Sequence, residues 1–127
     1  SAEIKDLESV NRAIQGFREK GFKMALDDFG AGAASFDYLN MLDVDTVKFD
    51  GPVVKRAYAT DKGRAFLASM ATLCDSMGIE TIAEMVEDEP LAKFLDGCGV
   101  HLGQGYFFGK ADADPMVFLG PTMRRTA

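Results

Sequence analysis

The chain has 127 residues, a 47% hydrophobic fraction and a formal net charge of −6, enough for one modest domain or part of a larger one. That acidic balance argues against a nucleic-acid polymer or an anionic membrane as the main partner. It leaves open a small phosphorylated ligand, because a bound cation reverses the local sign. No apolar run is long enough to span a bilayer and no signal peptide is visible, so no direct membrane contact is expected. Cys74 and Cys98 lack metal-type spacing and are too few for a disulfide scaffold, which points to a reducing, cytoplasmic setting. His101 is the sole histidine, so a histidine-based zinc cluster within this chain is excluded.

In chain order, residues 3–20 carry Ile4, Leu7, Val10, Ile14 and Phe17 at helical steps, and Gly21 sits where a C-cap belongs. Phe22 to Leu26 is expected as a strand. It runs into Asp27 and Asp28, then into Gly30-x-Gly32. Side chains alternate along a strand, so both acids reach one site only where the strand ends and the backbone turns. Two anions placed there repel, and a divalent cation relieves the conflict; oxygen donors favour hard ions. Ser35 caps a short helix through Leu42.

Val44 to Phe49 is the second expected strand, with Lys48 near its C-terminal end and Asp50-Gly51-Pro52 closing it. Residues 52–58 make a turn of helix. Thr60 or Asp61 then caps a long helix ended by Gly78. Ile79 to Ala83 is the third strand, followed directly by Glu84 and Glu87. Asp88 caps the next helix, with Pro90 in its first turn and Gly97 at its end. Val100 to Leu102 is a short fourth strand, leading into Gly103-Gln104-Gly105-Tyr106-Phe107-Phe108-Gly109. Asp114-Pro115 opens a last helix through Leu119, and residues 121–127 read as a tail.

Strands alternating with helices imply an α/β fold with a parallel sheet and right-handed crossovers. Every unusual polar residue then falls at the C-terminal end of a strand: Asp27 and Asp28, Lys48 and Asp50, Glu84 and Glu87, and Gln104. In parallel α/β folds these ends share the face on which sites are built. Carboxylates that hold a divalent cation, a lysine that steadies a water or a developing negative charge, and a glutamine that orients a ligand edge suit phosphoester hydrolysis. A dinucleotide-binding turn fits less well. The third glycine is absent, Ser35 standing in its place, and two aspartates before the loop repel a pyrophosphate.

Four stretches together resemble the EAL-domain family of cyclic di-GMP phosphodiesterases and receptors: Ala25–Gly32, Val44-Asp45-x-x-Lys48-x-Asp50, Ile82-Ala83-Glu84-x-Val86-Glu87 and Gly103–Gly109. The resemblance implies a modified TIM-type (β/α)8 barrel, of which residues 1–120 correspond to the C-terminal half. It implies Mg2+ or Mn2+ as cofactor and cyclic di-GMP as the ligand, hydrolysed to the linear dinucleotide. By position it makes Asp27 and Asp28 metal ligands. Lys48 becomes the lysine that contacts the attacking water, and Glu84 and Gln104 the catalytic residues on the following strands. Asp50 and Gly105 are placed toward the substrate, and Glu87 behind the site. A non-catalytic cyclic di-GMP receptor or interaction module is the alternative.

The chain departs from the family at three places: Ala33 replaces an aromatic, Met85 a glycine, and Gly51-Pro52 follow Asp50 where an arginine is expected. The family's signature Glu-x-Leu strand and its earlier metal ligands have no counterpart here. About four strands of the family's eight are therefore expected. This segment alone is expected to lack activity, and its open edges to pair with a second copy, as a homodimer, or to be relieved by rearrangement.

Overall fold

The computed structural model describes residues 4–29, 35–105 and 117–118. Helix α1 (Ile4–Glu19) leads to strand β1 (Ala25–Phe29), helix α2 (Ser35–Met41), strand β2 (Thr46–Phe49), helices α3 (Gly51–Tyr58) and α4 (Asp61–Ser76), strand β3 (Glu80–Ala83), helix α5 (Glu89–Cys98), strand β4 (Leu102–Gly103) and strand β5 (Val117–Phe118). The sheet runs β1-β2-β3-β4-β5. The first four strands pair in parallel, and β5 returns antiparallel to β4. This is the expected α/β alternation, with the strand C-termini gathered on one face.

Helix limits follow local chemistry. Thr60 accepts a hydrogen bond from the Gly63 amide at 2.9 Å and so caps α4. Asp88 does the same for α5 through the Leu91 amide at 2.9 Å. The stop expected at Gly97 moves on by two residues. Gly97 lies inside α5, and Gly99, at φ 86°, takes the left-handed cap position that glycine adopts without penalty.

The other differences concern strands. β1 begins at Ala25 and extends through both acids, because Met24 is drawn into the connection: its amide donates to the Asp45 carboxylate at 2.8 Å. The expected last helix is contradicted at Val117 and Phe118, which pair with Gly103 and Leu102. β-branched and aromatic residues suit that pleated edge. Residues 30–34 and 106–116 carry the glycine loops, the Ala33 departure and the Asp114-Pro115 turn. They lie outside the described residues, as does the tail.

The core lies between the sheet and its helices. Val47, Phe49, Val54, Leu67, Ala83, Val86, Leu95 and Val100 are essentially fully buried. Along β2 the burial alternates: Val47 and Phe49 face this core, which puts Thr46 and Lys48 on the opposite face. Thr81, the buried polar side chain of β3, shares a 3.2 Å hydrogen bond with His101 Nδ1. The Thr81 amide also donates to that nitrogen at 3.1 Å. His101 thus ties β3 to the start of β4, at the end of the strands remote from the clustered acids. Among the described residues no helix is long and apolar enough to cross a membrane.

Candidate active site at the strand C-termini

The register of the sheet builds the site. Leu26 pairs with Val47, yet Phe29 pairs with Phe49, so three steps along β1 match two along β2. The extra residue falls at Asp27-Asp28. A bulge of this kind breaks strict alternation and re-aims side chains. Its far end is pinned by Phe29, which is buried against Phe49 with ring centroids 5.8 Å apart. The two acids therefore sit within an irregular strand rather than past its end.

On β2, Lys48 pairs with Ile82 of β3. Glu84, two residues beyond Ile82, is on the same face. The Glu84 amide donates to the Phe49 carbonyl at 3.2 Å, which continues the ladder past the strand. Its carboxylate approaches Lys48 Nζ to 3.6 Å, with both side chains largely shielded from water. Asp27 hydrogen-bonds to the Glu84 carboxyl, so β1 and β3 meet above β2. Burial raises Glu84 above the usual carboxylate range. Lys48 pulls it back down, while the hydrogen bond and charge of Asp27 and the charge of Asp50 push it up further.

Asp50 occupies the N-cap position of α3 but makes no side-chain capping bond. Its carboxylate is left to the cluster around Glu84 instead. Gln104 is held by backbone bonds on both sides: its amide donates to Ala83 at 2.9 Å, and its carbonyl accepts from Val86 at 2.9 Å. Gly105 has a specific reason to be glycine. At φ 151°, a Cβ there would lie 2.4 Å from the Val86 backbone. Glu87 stands apart from the acids, in a half-exposed ion pair with Lys55 of α3 at 3.1 Å.

The structure thus brings Asp27, Lys48, Asp50 and Glu84 together, with Gln104 and Gly105 on the adjoining strand end. The Asp28 side chain lies outside the described residues. Among those described, no group of three or more histidine, cysteine or acidic side chains forms a metal cage by itself. The donor chemistry nevertheless fits a hard divalent ion. Mg2+ keeps several waters and is bound through one or two carboxylates together with ligand phosphates, rather than by an all-protein cage. The negative charges of Asp27 and Asp50 beside Glu84 are the kind of excess that such an ion neutralises.

Two features escaped the sequence reading. One is the bulge, whose only visible sign is a pair of acids inside an apolar run. The other is the backbone at Met85, at φ 59°, the only non-glycine residue with positive φ among those described. The resemblance to a motif with glycine at that position was the available clue.

A parallel α/β sheet with acids and a lysine converging at its strand C-termini has its polar cluster where folds of this class build their sites. Residues 1–111 match the EAL domain, and the chain belongs to that family. It is 43% identical over 97 residues to the cyclic di-GMP phosphodiesterase PdeB of Shewanella oneidensis, covering 76% of this chain and 11% of that protein. The EAL enzyme Bd1971, in its cGMP-bound form, superposes with a TM-score of 0.77 at 32% identity, over 84% of this chain and 28% of that one. The Klebsiella pneumoniae protein BlrP1, solved as a manganese and cyclic di-GMP complex, gives a TM-score of 0.68 at 32% identity, over 75% of this chain and 24% of that one. The chain spans between 11% and 20% of the length of the curated relatives it matches.

Proposed function

We propose that this chain supplies the C-terminal part, residues 1–120, of a domain that hydrolyses cyclic di-GMP to the linear dinucleotide with Mg2+ or Mn2+. The observation that carries the reading is the convergence of Asp27, Lys48, Asp50 and Glu84 from β1, β2 and β3 on one face. The relatives named as cyclic di-GMP phosphodiesterases support the substrate. The Klebsiella complex with manganese and cyclic di-GMP supports a divalent ion.

Asp27 and Asp28 are the proposed metal ligands, with Glu84 beside them. When bound, the ion supplies Lewis-acid polarisation of the phosphate and a water of lowered pKa. Lys48 would donate a hydrogen bond to the attacking water and offset negative charge as it grows on the phosphoryl oxygens. Its neighbour Glu84 keeps the ammonium aimed at the cluster through the 3.6 Å contact. Gln104 orients a ligand edge through its amide, and Asp50 and Gly105 line the approach of the dinucleotide. Glu87 supports the site from behind through Lys55. A homodimer is the proposed assembly, and the outer edge of β1, which ends the described sheet, is the edge that would meet the rest of the barrel.

The test is turnover of cyclic di-GMP by the full-length protein. It should require added Mg2+ or Mn2+ and stop with a chelator. Lys48→Ala should lower kcat by about 100-fold or more, the scale of losing one positioned electrostatic group. Tight binding of cyclic di-GMP with no linear product under any metal would replace this reading with the receptor alternative.

A further inference from the structure

Met85 follows Glu84 directly, and its side chain lies on Gly51, the residue after Asp50. A Cβ at position 51 would fall 2.1 Å from the Met85 sulfur, 2.5 Å from its Cγ and 3.0 Å from its Cβ. The thioether therefore lies in a notch that only glycine leaves open. It bridges the residues next to the Asp50 and Glu84 carboxylates, across the ends of β2 and β3. Met85 remains 39% exposed, and the other exposed large apolar side chains described, Val10, Phe17, Phe22, Phe66, Leu73 and Met77, lie on α1, on α4 or in the turns that follow these helices. Its backbone sits at φ 59°, a conformation costly for a long side chain and one that persists where the surroundings over-determine it.

We propose that Met85, seated on Gly51, is a specificity-determining residue that contacts an aromatic base of the bound cyclic dinucleotide; this rests on the cyclic di-GMP reading above. The rim on either side is charged, with Lys48, Asp50, Glu84 and the Lys55–Glu87 pair. A phosphodiester is served by those charges, but a purine face is not. A flexible, polarisable thioether is the side chain that packs favourably against a π face. Gly51 acts through Met85: any side chain there displaces the sulfur from the notch.

The experiment measures KM and kcat for cyclic di-GMP, and Kd for Mn2+ alone, in the full-length protein and its variants. Met85→Ala is expected to raise KM about 5- to 10-fold, with a change in kcat of less than about 2-fold and no change in Mn2+ affinity. Met85→Gly, which suits the positive φ and so is safe for folding, should give the same rise. Met85→Leu, which keeps the bulk but lacks the sulfur, should give a KM between those of wild type and Met85→Ala. Gly51→Ala should reproduce the Met85→Ala effect, and the double variant should be no worse than either single one.

An unchanged KM in Met85→Ala and Met85→Gly would overturn the proposal. So would effects of Gly51→Ala and Met85→Ala that simply multiply. A wild type that neither binds nor cleaves cyclic di-GMP would remove the functional reading itself, and this inference with it. Wild-type turnover with indifferent Met85 variants removes this inference alone.

Discussion

Glu84 concentrates the electrostatic argument. Its carboxyl is held above the ordinary value of 4.5 chiefly by burial, against the pull of Lys48, with Asp27 and Asp50 adding to the rise. A carboxyl raised on folding favours the protonated form in the native state. Its stabilising contribution is present below the unfolded value and is lost as pH rises through the folded one. Metal-free protein should therefore lose stability from this group on going from acid toward neutral pH, and Glu84→Gln should flatten that part of the profile. Urea denaturation across that pH range checks it. A profile identical in the two proteins would show that Glu84 does not carry the strain. Mn2+ at about 100 times its Kd should then restore roughly 2.7 kcal/mol at neutral pH.

Most of the candidate site was legible from single residues, because acids and a lysine are rare at the ends of apolar strands. What was not legible is that both adjacent acids lie inside an irregular strand rather than past its end. That depends on a one-residue mismatch between β1 and β2, and register is a property of two strands. The tight notch between Met85 and Gly51 was likewise hidden, since each residue alone reads as an unremarkable substitution. Only their proximity gives the pair meaning.

Elements show which polar residues serve the fold and which are left for the site. Thr60 and Asp88 cap α4 and α5 with direct side-chain bonds, whereas Asp50 stands at the same position of α3 and caps nothing. Thr60→Ala and Asp88→Ala should each cost about 1 kcal/mol of stability. Asp50→Ala should cost less than about 0.5 kcal/mol, the range of a residue without such a bond. Denaturation midpoints of the three variants measure this contrast directly. Equal losses for all three would return Asp50 to an ordinary capping role.

Helix placement as far as α5 is legible in the sequence, since caps and apolar periodicity are local signals. Strand limits were read less well. β1 shifted toward the acids because Met24 bonds to Asp45, a contact spanning 21 residues. Glycine at position 97 resembles a cap in the sequence, but the left-handed turn falls at Gly99. At Val117 and Phe118 the Asp-Pro signal for a helix was overridden by the open edge of β4. Pairing with a distant strand leaves no local trace.

For the molecule as a whole, one shared core holds the strand ends in place. Cys74, on α4, is fully buried in it, and burial pushes its thiol up to about 11. Only the thiolate reacts with alkylating agents. In the native protein Cys74 should therefore resist iodoacetamide at pH 8, and become labelled at the rate of a free cysteine once the chain unfolds. Cys98 is partly exposed and also raised by burial, so it should label first. Rapid native labelling of Cys74 would show that the packing between α4 and the sheet opens readily.

The proposed chemistry on a cyclic dinucleotide is confined to one face of one sheet. The measurement that bears on it most directly follows the linear product when the full-length protein is incubated with cyclic di-GMP and Mg2+ or Mn2+, beside Glu84→Ala. Cleavage by the wild type is expected, with a loss of about 100-fold or more in the variant and cyclic di-GMP still bound. Equal cleavage by both proteins would contradict it, because the chemistry would then lie outside the cluster that Asp27, Lys48, Asp50 and Glu84 form.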